Sequence, residues 1–159
     1  MLKAYQGRAR IIKRDEHDNV MELCRRLAAE NALFSMDDNK VCDMMSRAYD
    51  KRGGILAGIG EPGKLEGLMF ILLTSFWYSN DPYWEEHFLY VLPEHRKSRN
   101  AVELLRFAKW CADESGFPLF IGILSNHPTE RKELLYERQL HAEDYKGRFF
   151  IYNTKRAAA

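Results

Sequence analysis

The segment from residue 86 to residue 124 constrains the fold more than any other part of the chain. It reads as a buried strand at 86–92, a basic loop, a helix with an apolar face at 99–115 and a second buried strand at 118–124. Two strands that are joined by a crossover helix lie side by side and parallel. The fold must therefore contain a parallel strand pair with a helix packed against it.

The rest of the chain predicts short strands and amphipathic helices. Pro62 and Gly63 suit the two centre positions of a type II turn, which joins two strands in a hairpin. Apolar periodicity predicts strands at 4–13, 55–59, 65–78, 141–145 and 148–152, and helices at 18–30, from 37 or 38 to the glycine pair at 53–54, and at 128–140. The predicted order is β-α-α-β-β-β-α-β-α-β-β, an α/β (α+β) fold with a mixed, mostly antiparallel sheet flanked by helices. We expect one domain over 1–156, with 157–159 as a disordered tail or an expression remnant.

Composition narrows the classes of partner. The chain has 159 residues, 30% of them charged, and a net charge of +1, so neither a nucleic acid nor an anionic membrane is an expected partner. The first ten residues lack the apolar core of a signal peptide, and no apolar run is long enough to cross a bilayer. Three widely spaced cysteines predict neither a disulfide framework nor a zinc site, and the five histidines share no ligand spacing, so no metal is expected. A reducing, cytoplasmic compartment is the expectation.

The basic loop predicts a binding site for a phosphorylated ligand. The backbone N–H groups of 97–101 lie at the positive end of the following helix, where anions are stabilised. Arg96 and Arg99 can add charge-assisted hydrogen bonds, and the small Ala101 lets the first helical turn approach the strand. The alternative is a solvated surface cluster. The buried strand before the loop and the apolar-faced helix after it favour the ligand site.

The motifs around this loop resemble those of the GNAT superfamily of N-acetyltransferases. Residues 96–101 read RKSRNA, which matches the outer positions of the family's loop signature and has Arg99 in place of its central glycine. The stretches YVLPEHR, LLRFAKWCADESG and LSNHPTERKELLYER look like those of a small phage and bacterial branch. The resemblance implies an acetyl-CoA-dependent enzyme that moves an acetyl group to a primary amine by direct attack in a ternary complex. It also implies cytoplasmic action, in a host cell if the protein is phage-encoded.

The resemblance implies which residues contact each part of the cofactor. The loop would hold the pyrophosphate of coenzyme A, and a bulge in the preceding strand would open a gap for the pantetheine arm. A backbone N–H at Val91 or Leu92 would polarise the thioester carbonyl. Thr129 stands where many members have an Asn contact, and Asn126 or Arg131 would replace that contact. The implied cofactor-binding residues are Leu89, Tyr90, Val91, Leu92, Arg96, Lys97, Ser98, Arg99, Asn100, Ala101, Asn126 and Arg131.

The resemblance also implies an acid and a base. Tyr136, in the stretch LLYERQL, matches the family tyrosine that protonates the departing sulfur. Glu86 is the first candidate for the base and His87 the second. Each could equally be a solvated residue at the start of the strand. Many family members use a chain of water molecules in place of a side-chain base. Strand alternation places Glu86 and Phe88 on one face of the sheet and His87 and Leu89 on the other.

The acceptor is not identified by the sequence. Family members line the acceptor side with the loop between the first two helices, here 31–38, and with the last hairpin, here 141–148. Two aspartates and four aromatic residues could contact a cationic amine: Asp37, Asp38, Phe34, Trp77, Tyr83 and Trp84. Helix capping by the aspartates, and core or edge packing by the aromatic residues, are the stronger explanations of these side chains. The alternative function is a non-catalytic module that binds coenzyme A or a protein, such as a phage factor that acts on a host protein, and a homodimer is compatible with either.

Overall fold

The structure, a computed structural model, describes residues 4–123 and 130–141. Among these residues, five strands form one sheet in the order β1 to β5: β1 Arg10–Ile11, β2 Gly54–Glu61, β3 Lys64–Ser75, β4 Pro82–Val91 and β5 Leu119–Phe120. The pairs from β1 to β4 are antiparallel, and β4 pairs with β5 in parallel. The prediction of a mixed, mostly antiparallel sheet is confirmed.

Four α-helices cover the two faces of this sheet: α1 His17–Asn31, α2 Asp38–Tyr49, α3 Asn100–Ser115 and α4 Glu130–Leu140. Side chains of α1 and α2 share one buried cluster with one face of β2, β3 and β4, and side chains of α3 and α4 share the other. Leu68, Met69 and Phe70 are fully buried because β3 is covered on both sides. No helix in the described part of the chain is long and apolar enough to cross a membrane.

Local signals in the sequence account for most helix and hairpin boundaries. The Asp37 side chain accepts a hydrogen bond from Lys40 N–H at the start of α2. Gly63, with φ 76°, provides the left-handed residue that the type II turn between β2 and β3 requires. Helix α2 ends at Tyr49, before the predicted glycine pair, and β1 is two residues long where 4–13 was expected. The predicted strands at 141–145 and 148–152 lie outside the described residues, apart from His141.

Strand β4 contains a bulge at His87. Phe70 of β3 pairs with Phe88, and the next residue, Ile71, pairs with Glu86, so His87 is the extra residue. The predicted alternation is therefore wrong at this point. Glu86 turns towards α4, whereas Phe88 packs against the α1 and α2 cluster. An inserted residue shifts the period-2 pattern by one, and the sequence carries no sign of it.

Strands β4 and β5 pair over two residues only. Trp84 pairs with Leu119 and Glu85 with Phe120, and Trp84 N–H donates to Pro118 at 2.8 Å. Beyond Glu85 no described residue pairs with the second edge of β4. The parallel pairing among the described residues therefore ends beside the bulge, and we call the side of β4 beyond that point, next to α4, the cleft.

Candidate active site

The loop after β4 is a compact turn that leads directly into α3. Pro93–His95 form a single 3₁₀ turn, and His95 N–H donates to Leu92 at 2.8 Å. The Ser98 hydroxyl donates to the His95 carbonyl at 2.6 Å and accepts from Asn100 N–H at 3.1 Å. These bonds fix the loop backbone against the first residue of the helix.

The first turn of α3 presents unused backbone donors. Within the described part of the chain, no acceptor receives a hydrogen bond from the N–H groups of Arg99, Ala101 or Val102. Such groups carry the positive end of the helix dipole and bind anions. Arg99 has φ −91°, a conformation open to any residue, and its side chain is exposed. The arginine in place of the signature glycine therefore causes no backbone strain.

Arg96 makes several contacts within the protein, although 41% of its side chain is exposed. Its guanidinium donates to Glu30 of α1 at 2.6 Å and to the Val91 carbonyl at 3.0 Å, and it lies 5.6 Å above the Tyr90 ring. The Tyr90 hydroxyl donates to the same Glu30 carboxylate at 3.1 Å. The ion pair with Glu30 raises the pKa of Arg96 further above its ordinary value. Arg96 thus fixes the geometry of the loop, and Glu30 balances its charge.

The Asn100 side chain connects the start of α3 to β3. It is fully buried, and its side-chain N–H donates to Glu66 of β3 at 2.7 Å. Its side-chain oxygen has no partner among the described residues. This buried amide positions the first turn of α3 against β3.

The open edge of β4 offers backbone groups at two residues. Leu92 N–H already donates to Glu66 O at 2.9 Å. Because hydrogen-bonding direction alternates along a strand, Leu89 and Val91 direct their N–H and C=O groups away from β3 and into the cleft. Arg96 occupies the Val91 carbonyl. Leu89 N–H is the donor closest in sequence to Glu86 and to the point where the strands separate.

Glu86 lies at the closed end of the cleft. Its carboxylate accepts a hydrogen bond from Gly122 N–H at 3.2 Å, across the point where β4 and β5 part. Burial raises the pKa of Glu86 from 4.5 to about 7, against the smaller lowering effects of the Gly122 hydrogen bond and of Lys132. A carboxyl group in this state exchanges a proton near neutral pH, as a general base must.

Helix α4 supplies two further groups that face Glu86. Tyr136 is 8% exposed, and burial together with the nearby Glu86 charge raises the pKa of its hydroxyl, so Tyr136 keeps its proton. Lys132 is one helical turn earlier and half-buried. Burial lowers the pKa of Lys132, and Glu86 opposes that effect. A proton acceptor and a proton donor thus lie on opposite sides of one cleft.

His87, the second candidate base, lies on the other face of the sheet. Its ring is 5.4 Å from Phe70, and its Nε2 is 3.7 Å from Glu85. Burial lowers the pKa of His87. The bulge therefore separates His87 from Glu86, Tyr136 and the cleft.

The residues considered for the acceptor do not converge. Asp37 caps α2, Asp38 pairs with Arg25 at 2.7 Å, and the Trp84 indole donates to Ser115 at 2.9 Å. Trp77 is 93% exposed, and Tyr83 stacks on Phe76 with ring centroids 4.6 Å apart. A cavity of about 280 Å³ lies at the loop after α1, lined by Arg25, Ala28, Ala29, Phe34, Ser35 and Met36.

The structure thus brings the predicted strand, loop, Glu86 and Tyr136 to one cleft. Sequence reasoning missed Glu30, Glu66 and Lys132, of which only Lys132 carries a local signal, its spacing of four residues from Tyr136. Arg131 is exposed on α4, and Asn126 and Thr129 lie outside the described residues. Within the described ranges no group of three or more metal-ligating side chains occurs.

Comparison with known proteins identifies solved structures that share this fold. No protein-family model and no curated protein matches the sequence. Solved structures do match. A predicted acetyltransferase with acetyl-CoA from Clostridium acetobutylicum has a TM-score of 0.71 at 11% identity, over 93% of this chain and 96% of that one. A possible acetyltransferase from Clostridium difficile 630 has a TM-score of 0.68 at 14% identity, over 91% and 95%. A ribosomal-protein-alanine N-acetyltransferase from Brucella melitensis biovar Abortus 2308 has a TM-score of 0.65 at 19% identity, over 91% and 97%. The chain therefore has the fold of the GNAT acetyltransferases.

Proposed function

We propose that this protein is an acetyl-CoA-dependent N-acetyltransferase that acts on a primary amine. The observation that carries the proposal is the cleft between β4 and β5, which has free helix N–H groups at its mouth and Glu86 and Tyr136 at its closed end. Solved structures with this fold include a predicted acetyltransferase with acetyl-CoA and AAC(6')-Iy in complex with the bisubstrate analogue CoA-S-monomethyl-acetylneamine. The residues fit such a ligand by their chemistry: backbone donors for phosphates, a strand edge for an amide-bearing arm and a buried acid–base pair.

The cofactor contacts follow from the geometry of each group. The N–H groups of Arg99, Ala101 and Val102 would bind the pyrophosphate, and the exposed Lys97 would add charge. Leu89 and Val91 would pair with the arm along the open strand edge. Leu92 N–H is bonded to Glu66 O, which leaves Leu89 N–H and Val91 N–H as donors for the thioester carbonyl. We choose Leu89 N–H because it is nearer in sequence to Glu86.

Acetyl transfer would then need three proton movements. Glu86 in its ionised form would accept a proton from the substrate ammonium, directly or through one water, and leave a neutral amine. The amine nitrogen would form a bond to the carbonyl carbon, and Leu89 N–H would stabilise the oxyanion of the tetrahedral adduct. The bond from that carbon to sulfur would then break, and Tyr136, protonated because burial raises its pKa, would give its proton to the departing thiolate. The second proton of the amine nitrogen would restore the Tyr136 hydroxyl.

The test is release of free thiol from acetyl-CoA with a panel of primary amines. We expect turnover that requires the amine, and a loss of about 100-fold or more in the Glu86→Gln variant. Glu85→Gln, which changes the neighbouring carboxylate outside the cleft, is the matched control. Turnover by Glu86→Gln equal to that of the wild type would remove Glu86 from the mechanism.

A second candidate function is binding of coenzyme A without turnover. The observation that favours it is the engagement of Arg96 by Glu30 and by the Val91 carbonyl, which occupies one acceptor of the strand edge. Calorimetry with coenzyme A and with acetyl-CoA separates the candidates. Binding of both with no turnover on any amine supports the second, and absence of binding contradicts both.

A further inference from the structure

A second reactive group lies outside the cleft, where the start of α1 contacts the middle and the end of α2. The Cys42 thiol of α2 is 3.5 Å from Nε2 of His17, the first residue of α1. The other ring nitrogen of His17, Nδ1, is 3.2 Å from the Tyr49 hydroxyl, and the two rings meet edge to face at 5.7 Å. A thiol, an imidazole and a phenol therefore form one hydrogen-bonded chain.

The thiol, the imidazole and the phenol are arranged like a nucleophile, its base and the group that orients the base. In the tautomer with its proton on Nδ1, His17 donates to the Tyr49 oxygen and presents the Nε2 lone pair to Cys42. Burial raises the pKa of Tyr49, so the phenol stays neutral beside the imidazole. A nucleophile within reach of a base that is oriented by a third group is the arrangement that covalent catalysis uses.

The other two cysteines provide an internal contrast. Cys24 and Cys111 are buried, and burial raises the pKa of their thiols to about 11 and about 12. Cys42 is only half-buried. Of the three free thiols, Cys42 is the one that combines access with a neighbouring base, and a small electrophile is the class of reagent that a half-buried thiol admits.

We propose that Cys42 is a modification site whose thiol, deprotonated by His17, reacts with a peroxide. The sulfur attacks one peroxide oxygen, a bond from sulfur to oxygen forms, and the bond between the two oxygens breaks. Cysteine is oxidised to sulfenic acid and hydrogen peroxide is reduced to water, because His17 returns the thiol proton to the departing hydroxide. Tyr49 is a positioning residue, since it acts through His17.

The test is treatment of the intact protein with hydrogen peroxide, trapping of sulfenic acid by dimedone and peptide mass spectrometry. We expect labelling of Cys42 about tenfold or more faster than that of Cys24 or Cys111. In His17→Asn the rate at Cys42 should fall about 10- to 100-fold, whereas the remote His141→Asn should leave it unchanged. Tyr49→Phe keeps the ring but removes the oxygen, and should give a smaller loss. Acetyl transfer by Cys42→Ser at the wild-type rate would show that the two sites are independent.

Two results overturn the proposal. One is a rate at Cys42 in His17→Asn equal to that in the wild type, since loss of the base must slow the reaction. The other is a wild-type rate at Cys42 no higher than that of a cysteine in an unstructured peptide, which needs no variant and so holds even where a substituted protein fails to fold. If His17→Asn does not fold, His17→Gln provides the same comparison.

Discussion

Replacement of Glu86 by Gln should make the protein more stable in alkaline solution while it abolishes most of the activity. Burial raises the pKa of Glu86 from 4.5 to about 7. At ~1.36 kcal/mol for each pH unit, ionised Glu86 costs the folded state at most about 3 kcal/mol above pH 7. Gln has nearly the same shape, carries no charge and can still accept the hydrogen bond from Gly122 N–H.

The sign of the pH dependence follows from proton binding. Between pH 4.5 and 7 the folded chain binds a proton at Glu86 that the unfolded chain has lost, so this contribution to stability falls as the pH rises through that window. Below it the side chain is neutral in both states, and Glu86→Gln should match the wild type. Above pH 8 the variant should melt about 6–12 °C higher, because ~1 kcal/mol shifts the melting temperature of a chain this size by about 2–4 °C.

The assay is a set of thermal melts at pH 4.5, 6, 7 and 8.5 for the wild type, Glu86→Gln and Glu85→Gln. The Glu85 side chain is 39% exposed and lies 3.7 Å from His87 Nε2, so its variant controls for the loss of a neighbouring carboxylate that is not buried. Acetyl transfer by the wild type should also decline as the pH falls below about 7, because protonated Glu86 accepts no proton. A difference in melting temperature between wild type and Glu86→Gln that is constant over this range would refute the buried-carboxylate reasoning.

Three further predictions concern the acid, the loop and the β2–β3 hairpin. Tyr136→Phe should lower kcat about 100-fold and leave the calorimetric affinity for coenzyme A within about twofold, because the hydroxyl acts on the departing sulfur; an unchanged kcat would exclude the acid role. Arg96→Met should lower the free energy of urea unfolding by about 1–2 kcal/mol, because it leaves Glu30 and the Val91 carbonyl without this donor. Lys97→Met, at an exposed position, should lower it by less than about 0.5 kcal/mol. Equal losses in the two variants would contradict the role of Arg96 in holding the loop. Gly60→Ala should lower the free energy of unfolding by at least ~2 kcal/mol, because Gly60 has φ 113° and the added carbon would touch the Lys64 carbonyl and Glu66 N. Gly63→Ala, at φ 76° with open space around it, should lower it by about 1 kcal/mol. A lower melting temperature for Gly63→Ala than for Gly60→Ala would contradict this prediction.

The fold was predictable because local signals and the crossover rule agree along most of the chain. Pro62 and Gly63 fix the hairpin turn, Asp37 caps α2, and Gly116, with φ 72°, ends α3. The segment 86–124 then forces the parallel pair. Strand lengths were less predictable, since β5 spans Leu119–Phe120 where 118–124 was expected. A strand ends where its partner leaves it, and the sequence does not show where that happens.

The location of the candidate site could be predicted from the sequence better than the contacts among its side chains. Glu86 lies near enough to Tyr136 to affect its pKa, although Tyr136 lies 50 positions beyond Glu86 in the printed sequence. Arg96 contacts Glu30, which lies 66 positions earlier, and this contact was not predicted from the sequence. Such pairings depend on how α1 packs beside the loop, and short-range patterns carry no information about that. Arg99 looked anomalous because a sequence signature with glycine does not show whether the backbone at that position requires a conformation that favours glycine.

The bulge at His87 makes this position a place in β4 where a residue can be lost without reversing the rest of the strand. Trp84, Glu86 and Leu89 face the α3 and α4 layer, whereas His87 and Phe88 follow one another on the opposite face. Deletion of His87 would therefore restore strict alternation, and Glu86 would stay on the face of Tyr136. In a mutational scan this position should accept other amino acids, and also a one-residue gap, without a change in the layer that the carboxylate faces. An alignment of relatives with a gap at 87 would still join proteins whose carboxylates face the same layer.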